Sequence, residues 1–199
     1  MLERTIAVDI DDVLTKSTDL IRQEANYYAG IDLQPEHYMV PGEYWNYYET
    51  IWEAHGILDK VNFDNFELKL KSDVLPQEGA VEVLHRLSRR FNIVVITARN
   101  EQWREATETW LEQHFIDTPL KLYFAGNTEH AVHRTKGQLA AELGASWLID
   151  DHVKHCIDAN IAGVTALLFG SYGWQQSIPD TIIQFKNWQE IEEYFDGIS

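Results

Sequence analysis

Cysteine is almost absent from this chain. The single residue, Cys156, cannot form an internal disulfide, which fits a reducing compartment. Cations are scarce too: 16 Lys and Arg stand against 32 Asp and Glu, a formal net charge of -16. A surface of that sign repels nucleic-acid polymers and anionic membranes. It tolerates a small anion only where a metal and a few cations converge, and elsewhere the excess charge serves solubility. No apolar run approaches the roughly 20 residues of a membrane span. The opening MLERTIAVDI carries Glu3 and Asp9 and is too short and too acidic for a secretion signal, so a cytoplasmic location is expected. Internal repeats and low-complexity tracts are missing. What is present, 199 residues with 45% hydrophobic and 24% charged, suits one globular domain or one domain carrying an inserted subdomain.

Short apolar runs alternate with helix-like stretches. Thr5 to Ile10 (TIAVDI) and the β-branched run Asn92 to Thr97 (NIVVIT) predict buried strands, and Leu120 to Phe124, Ser146 to Ile149 and Val164 to Phe169 predict three more. Between them Val81, Leu84 and Leu87 share one helix face, as do Ala106, Trp110 and Leu111. Leu139, Ala140 and Leu143 follow, ended by Gly144 in a C-cap position. The alternation implies an α/β fold with a mostly parallel sheet and helices on both faces. Asn187 to Phe195 reads as a capped amphipathic helix against the sheet edge, with no catalytic duty.

Residues 15 to 74 break the rhythm. They contain no convincing strand, and Ser17 to Ala29, Trp45 to Ala54 and Asn62 to Leu70 predict helices, with Pro35 and Pro41 punctuating a loop. This stretch holds 10 of the 24 aromatic residues, more than its share, so it reads as a helical subdomain inserted after the first strand. About half of those rings are expected to build the subdomain's own core.

Ligands of open parallel sheets bind at the carboxyl ends of the strands. There this sequence places Asp9-Ile10-Asp11-Asp12 after the first strand, Thr97 with Ala98 and Arg99 after the second, and Asp150-Asp151 after SWLI. Lys136 opens the helix before that last strand. Four separate segments thus deliver carboxylates, a hydroxyl and an amine to one edge. The set points to phosphoryl transfer. Carboxylates from two strand ends suit a hard cation such as Mg²⁺, which offsets repulsion between a carboxylate nucleophile and a phosphate. An ammonium and a hydroxyl then hold the phosphate oxygens. Asp9 and Asp11 would face opposite sides of a continuing strand, so the backbone must turn after Asp9 for both to serve.

Asp9-Ile10-Asp11-Asp12-Val13-Leu14-Thr15, Thr97, Lys136 and Asp150-Asp151 resemble, in order, the four motifs of the haloacid dehalogenase superfamily. The resemblance implies a Rossmann-like catalytic core of residues 1–14 and 75–199 with a helical cap of residues 15–74. It implies Asp9 as the nucleophile that forms an aspartyl-phosphate, Asp11 as acid and base, and Thr97 and Lys136 as ligands of the transferring group. Asp9, the Asp11 carbonyl and the Asp150-Asp151 pair would hold Mg²⁺, with Asp150 favoured as the direct ligand and Asp151 behind it. Asp11 sets the chain with the superfamily's phosphatases rather than its dehalogenases.

The position and length of the insertion look like the small cap of the 5′(3′)-deoxyribonucleotidases. Tyr44, Trp45, Tyr47, Tyr48 and Trp52 fit a base-stacking pocket, and a nucleoside 5′-monophosphate is the expected substrate. A small-metabolite phosphatase, such as one acting on sugar phosphates, stays open as the alternative, and a noncatalytic binding module is a remoter one. A receiver domain is disfavoured, because Lys136 precedes the Asp150 strand and a long insertion follows strand one. Arg99 is expected to contact substrate phosphate or the cap, or to form a surface ion pair. Asn127, Glu129 and His130 are rim candidates. His130 with His133, and His152 with His155 and Cys156, fall short of a structural zinc site. Lys16 to Ser17 and Asp73 to Pro76 are the expected connecting segments of the cap. The oligomeric state, a homodimer included, is left open.

Overall fold

A computed structural model describes residues 4–125 and 134–198. Six strands form one sheet: β1 (Thr5–Val8), β2 (Asn92–Thr97), β3 (Leu120–Phe124), β4 (Ala145–Asp150), β5 (Thr165–Phe169) and β6 (Ile183–Phe185). Their order is β3-β2-β1-β4-β5-β6, and every pairing is parallel. The chain winds outward from β1 in both directions, so the order reverses between β1 and β4. That is the topological switch point, where the crevice of such a sheet opens.

The strand alternation sorts the core into two layers. Ile6, Val8, Ile93, Val95, Trp147, Ile149 and Leu167 face α4 (Ala80–Leu87), α5 (Arg104–His114) and α8 (Trp188–Asp196). Ala7, Val94, Ile96, Leu148, Ala166 and Leu168 face α6 (Lys136–Glu142) and α7 (Val153–Ile161). Ala140 on α6 and Cys156 and Ala159 on α7 are small buried residues of the second layer, where the two helices approach closely. A Cβ on Gly137 would lie 2.5 Å from the Ala159 amide nitrogen, so only glycine fits there.

Between β1 and α4 the chain is helical, with α1 (Ser17–Ala29), α2 (Tyr47–Ala54), α3 (Glu67–Ser72) and single 3₁₀ turns. It has its own apolar cluster of Ile21, Ala25, Tyr38, Tyr47, Ile51, Trp52, Ile57 and Phe66. The connecting segments pair with each other: Lys16 N donates to Leu75 O at 2.8 Å, Gln77 N to Leu14 O at 2.8 Å, and Thr15 bridges Pro76. The insertion is therefore joined through a short two-stranded ribbon. A second tie comes from the loop after β5. Gly42 N donates to Gly173 O at 3.2 Å, and a Cβ on Gly173 would lie 2.0 Å from the Tyr47 hydroxyl.

Three sequence expectations need adjusting. Strand one ends at Val8 rather than Ile10, because the backbone turns through Asp9–Asp12 with Asp12 at φ 57°. The predicted helix Trp45–Ala54 begins as a 3₁₀ turn at Tyr44–Asn46, and Asn62–Leu70 divides into a 3₁₀ turn and α3. The edge strand β6 has no counterpart in the sequence reading.

Candidate active site

The turn after β1 creates the site. Amides of Val13, Leu14 and Thr15 all donate to the Ile10 carbonyl, at 3.3, 2.8 and 3.0 Å. Trp188 Nε1 pins the same turn by donating to Val13 O at 2.9 Å. Ile10 packs into the core while Asp9, Asp11 and Asp12 are delivered to the switch point. Asp12 turns toward the insertion, where its carboxylate caps α1: it accepts from the Thr18 amide at 2.9 Å and the Thr18 hydroxyl at 2.8 Å.

Lys136 sits under the carboxylates. Its Nζ lies 2.7 Å from Asp9 Oδ1 and 2.9 Å from Asp150 Oδ2, and all three side chains are buried. Burial works against the ammonium, but Asp150 and Asp9 override it and hold Lys136 well above the usual lysine range. Asp150 has both oxygens engaged, since Oδ1 accepts from the His152 amide at 2.9 Å and lies 3.1 Å from His155 Nδ1. Burial raises its carboxyl, yet Lys136 and His155 carry it well below the usual range. Asp151 faces the other way and lines the cleft. One of its oxygens accepts from Trp174 Nε1 at 3.0 Å, and the other has no hydrogen bond among the described residues.

Oxygens of Asp9, Asp150 and Asp151 come within 4.8 Å of one another. Burial and mutual repulsion push Asp9 up to about 6 and Asp151 well above the usual carboxylate range. Hard oxygen donors crowded at the expense of their own ionisation fit a small divalent cation, which reverses that cost. Within the Asp150-Asp151 pair the hydrogen bonds differ: Asp150 has both oxygens engaged, by Lys136 on one side and by the His152 amide and His155 on the other, whereas one Asp151 oxygen has no hydrogen bond among the described residues.

Asp11 and Arg99 form a bidentate pair, Nε to Oδ2 at 2.9 Å and NH2 to Oδ1 at 2.7 Å. Ser17 Oγ adds a third bond to Oδ1 at 2.8 Å. Burial favours the neutral acid, but Arg99 prevails and holds Asp11 well below the usual range. The Arg99 side chain is only 1% exposed, so it is no surface ion pair. It also reaches Thr107 Oγ1 and, on α3, the Leu70 carbonyl, both at 3.3 Å. Arg99 thus faces Asp11 and the insertion rather than the cleft. Thr97 is wholly buried at the end of β2, its Oγ1 accepting from the Arg99 amide at 3.1 Å, and Ala98 is exposed beside it, outside the cleft lining.

Above these groups lies a cleft of about 290 Å³ between the sheet edge and the insertion. Asp11, Asp12, Ser17 and Asp151 line its floor, and Tyr44, Trp45, Tyr48, Glu49, Phe63 and Lys71 its walls. Trp45 is 78% exposed at the mouth. Tyr44 sets its ring edge on His152 at 4.0 Å. Tyr48 is half-buried, its hydroxyl 2.8 Å from that of Thr18. Tyr47 also lines the cleft, with its hydroxyl turned away to donate to the Tyr38 and Val40 carbonyls, whereas Trp52 belongs to the insertion's own core and donates from Nε1 to the Tyr38 hydroxyl. Asn127, Glu129, His130 and His133 lie outside the described residues.

A family model described as 5' nucleotidase, deoxy (pyrimidine), cytosolic type C protein (NT5C) matches residues 3–195. The chain belongs to this family. It is a 5′-nucleotidase by family, and its fold is that of haloacid dehalogenase-like proteins. A curated nucleotidase of Clostridium acetobutylicum is 26% identical over 136 residues, 68% of this chain and 67% of that protein. A haloacid dehalogenase-like protein of unknown function from Agrobacterium tumefaciens superposes with a TM-score of 0.64 at 19% identity, covering 98% of both chains. The D,D-heptose 1,7-bisphosphate phosphatase of B. bronchiseptica, complexed with magnesium and phosphate, superposes with a TM-score of 0.59 at 10% identity, covering 98% of this chain and 99% of that one.

The family's switch-point site is completed here by a loop the sequence reading passed over, Tyr172 to Gln175. The Tyr172 hydroxyl donates to Asp12 O at 2.6 Å, and Gln175 Nε2 donates to Asp151 O at 2.8 Å. Tyr172 and Trp174 stack 4.6 Å apart and parallel within 1°. This loop follows β5 at the same sheet edge as the four motifs, so the strand-end rule applied once more points to it.

Proposed function

We propose that this nucleotidase hydrolyses nucleoside 5′-monophosphates with Mg²⁺ in the cytoplasm, through an aspartyl-phosphate on Asp9. The observation that carries the reading is the placement of Asp9, on Lys136 and within ligand distance of Asp150 and Asp151, below an aromatic-walled cleft. Asp9, the Asp11 backbone carbonyl and Asp151 would hold the metal, with Asp150 keeping Lys136 in place. Mg²⁺ supplies charge that offsets the repulsion between Asp9 and the substrate phosphate.

The Asp9 oxygen bonds to phosphorus as the ester P–O bond breaks, and Asp11 gives a proton to the leaving oxygen. Asp11 then takes a proton from water, whose oxygen bonds to phosphorus and releases Asp9 and inorganic phosphate. In this arrangement both Asp11 oxygens are taken by Arg99 and Ser17. The acid-base role therefore requires Arg99 to yield one oxygen when substrate is seated. Thr97 and Lys136 hold the transferring group, and Lys136 also keeps Asp9 ionised. Residues 15–74 form the cap, with Tyr44, Trp45 and Tyr48 as the surface for the base. A ring stacked on a base contributes about 1–3 kcal/mol, enough for those walls to select nucleotides over simple esters.

The test is a panel of ribo- and deoxyribonucleoside monophosphates beside sugar phosphates, with Mg²⁺ and with EDTA. Nucleotides are expected to lead in kcat/KM, and EDTA to abolish turnover. Asp9→Asn is expected to be inactive. Turnover by that variant, or activity confined to sugar phosphates, would overturn the mechanism or the substrate respectively.

A further inference from the structure

Three described cations surround the site, and two are already spent on carboxylates. Lys136 lies between Asp9 and Asp150, and Arg99 is held by Asp11 and the Leu70 carbonyl. The third is Lys71, the residue after Leu70 on α3. It lines the cleft beside Asp11, Ser17 and Phe63, is half-buried, and makes no hydrogen bond or ion pair among the described residues. Burial lowers its pKa, with Asp11 pulling the other way and Arg99 adding to the fall.

Asp11 and Glu67 act on this ammonium only at a distance, and a half-buried ammonium with no direct ion pair gains from an anion brought from outside. The chain's net charge of -16 makes such a group the more telling, since a phosphate approaching this protein is otherwise repelled. Of the cleft walls, the one bearing Lys71 adjoins Asp11, at the reacting end. The exposed ring of Trp45 marks the mouth.

We propose that Lys71 is a phosphate-recognition residue carried by the helical insertion, meeting the substrate's phosphate from the side opposite Asp9. This rests on the proposed phosphatase reading and adds a residue that none of the four motifs contains. It also makes the seating of the insertion depend on phosphate. With phosphate in the cleft, α3 and the sheet edge share one anion; without it, Lys71 faces a floor of carboxylates with no ligand between.

The test compares wild type, Lys71→Met, Lys71→Gln and Lys71→Arg, each checked for an unchanged melting profile. Inorganic phosphate is titrated calorimetrically into the Mg²⁺-loaded protein, and KM is measured for p-nitrophenyl phosphate and for a nucleoside 5′-monophosphate. Loss of one charge-assisted contact is expected to weaken phosphate binding about tenfold or more. KM should rise by a similar factor for both esters, and arginine should restore most of the loss. A phosphate affinity within twofold of wild type in the methionine and glutamine variants overturns the proposal. So does a KM penalty seen with the nucleotide alone, which would assign Lys71 to the nucleoside instead. A wild type that binds phosphate through Lys71 but hydrolyses no ester would sink the phosphatase reading and leave this inference standing.

Discussion

Removing the divalent cation is expected to make folding stability fall as pH rises through neutrality. Asp12 is buried, and burial pushes its carboxyl up to about 7 against two bonds from Thr18. Asp151 is raised too, by burial and then by Asp150 and Asp9. A carboxyl raised in the folded state keeps its proton where the unfolded chain has lost it, so stability declines as pH climbs through the folded value. His152 runs the other way, held near 4 by burial and by His155, but its contribution is complete above the unfolded histidine value of roughly 6.5. Asp11 and Asp150, both held low, matter only in acid. Between about pH 6.5 and 8 the raised carboxyls therefore act alone. Asp12 by itself is worth about 1 kcal/mol over that interval, and Asp151 acts in the same direction. For a chain of this length Asp12 alone corresponds to a fall in Tm of roughly 2–4 °C. Mg²⁺ binds the ionised forms, so its stabilisation should grow over the same interval. Differential scanning fluorimetry at fixed ionic strength, with EDTA and with excess Mg²⁺, measures both. A metal-free Tm that is flat or rising across the window would falsify the reasoning, as would a Mg²⁺ increment that does not change with pH.

Two substitutions probe the supports of the site. Trp174→Phe keeps the stacking on Tyr172 but removes the indole donor to Asp151, and it is expected to weaken Mg²⁺ binding about tenfold, read by calorimetry; an unchanged affinity would show that Asp151 needs no such hold. Gly137→Ala drives a Cβ into the α7 backbone at Asp158 and Ala159, and should cost about 1–3 kcal/mol in urea unfolding while displacing the adjacent Lys136; a variant of wild-type stability and activity would refute the close approach.

The legible parts of the molecule were those written in local pattern. Asn92–Thr97 and Leu120–Phe124 are strands over the residues their apolar and β-branched runs mark out, and Ser17–Ala29 is a helix over the whole of its period. The edge strand β6 escaped because three residues, two of them exposed, carry no usable alternation. The gathering of Asp9, Lys136, Asp150 and Asp151 followed from one topological rule, since the carboxyl ends of a parallel sheet share an edge. Partner choice within that cluster was not legible. Arg99 and Asp11 are 88 positions apart, and their pairing depends on where α3 lies, because Leu70 supplies part of the seat. The aromatic run from Tyr44 to Trp52 gave the wall of a cleft, but not which rings face it. Helical spacing alone cannot tell Tyr47 and Tyr48, which line the cleft, from Trp52, turned into the insertion's core.

Charge counting around the cleft links metal, phosphate and cap. Six carboxylates meet there, from Asp9, Asp11, Asp12, Glu49, Asp150 and Asp151, against three cations, Lys71, Arg99 and Lys136. With every group ionised the balance is negative, and one divalent cation cancels most of it. Without that cation the site can reach neutrality only by keeping protons, which is the direction in which Asp9, Asp12 and Asp151 are displaced. A phosphate dianion entering the metal-loaded site deepens the deficit by two. Nothing in the buried floor can answer it, since Lys136 and Arg99 are already paired. On the proposed reading the counter-charge comes from a cation that holds no ion pair, and among the described residues lining the cleft Lys71 on the insertion is that group. A cap that contributes the missing cation closes most favourably over an ester that carries the phosphate, so on this reasoning substrate selection begins with charge before any base is read.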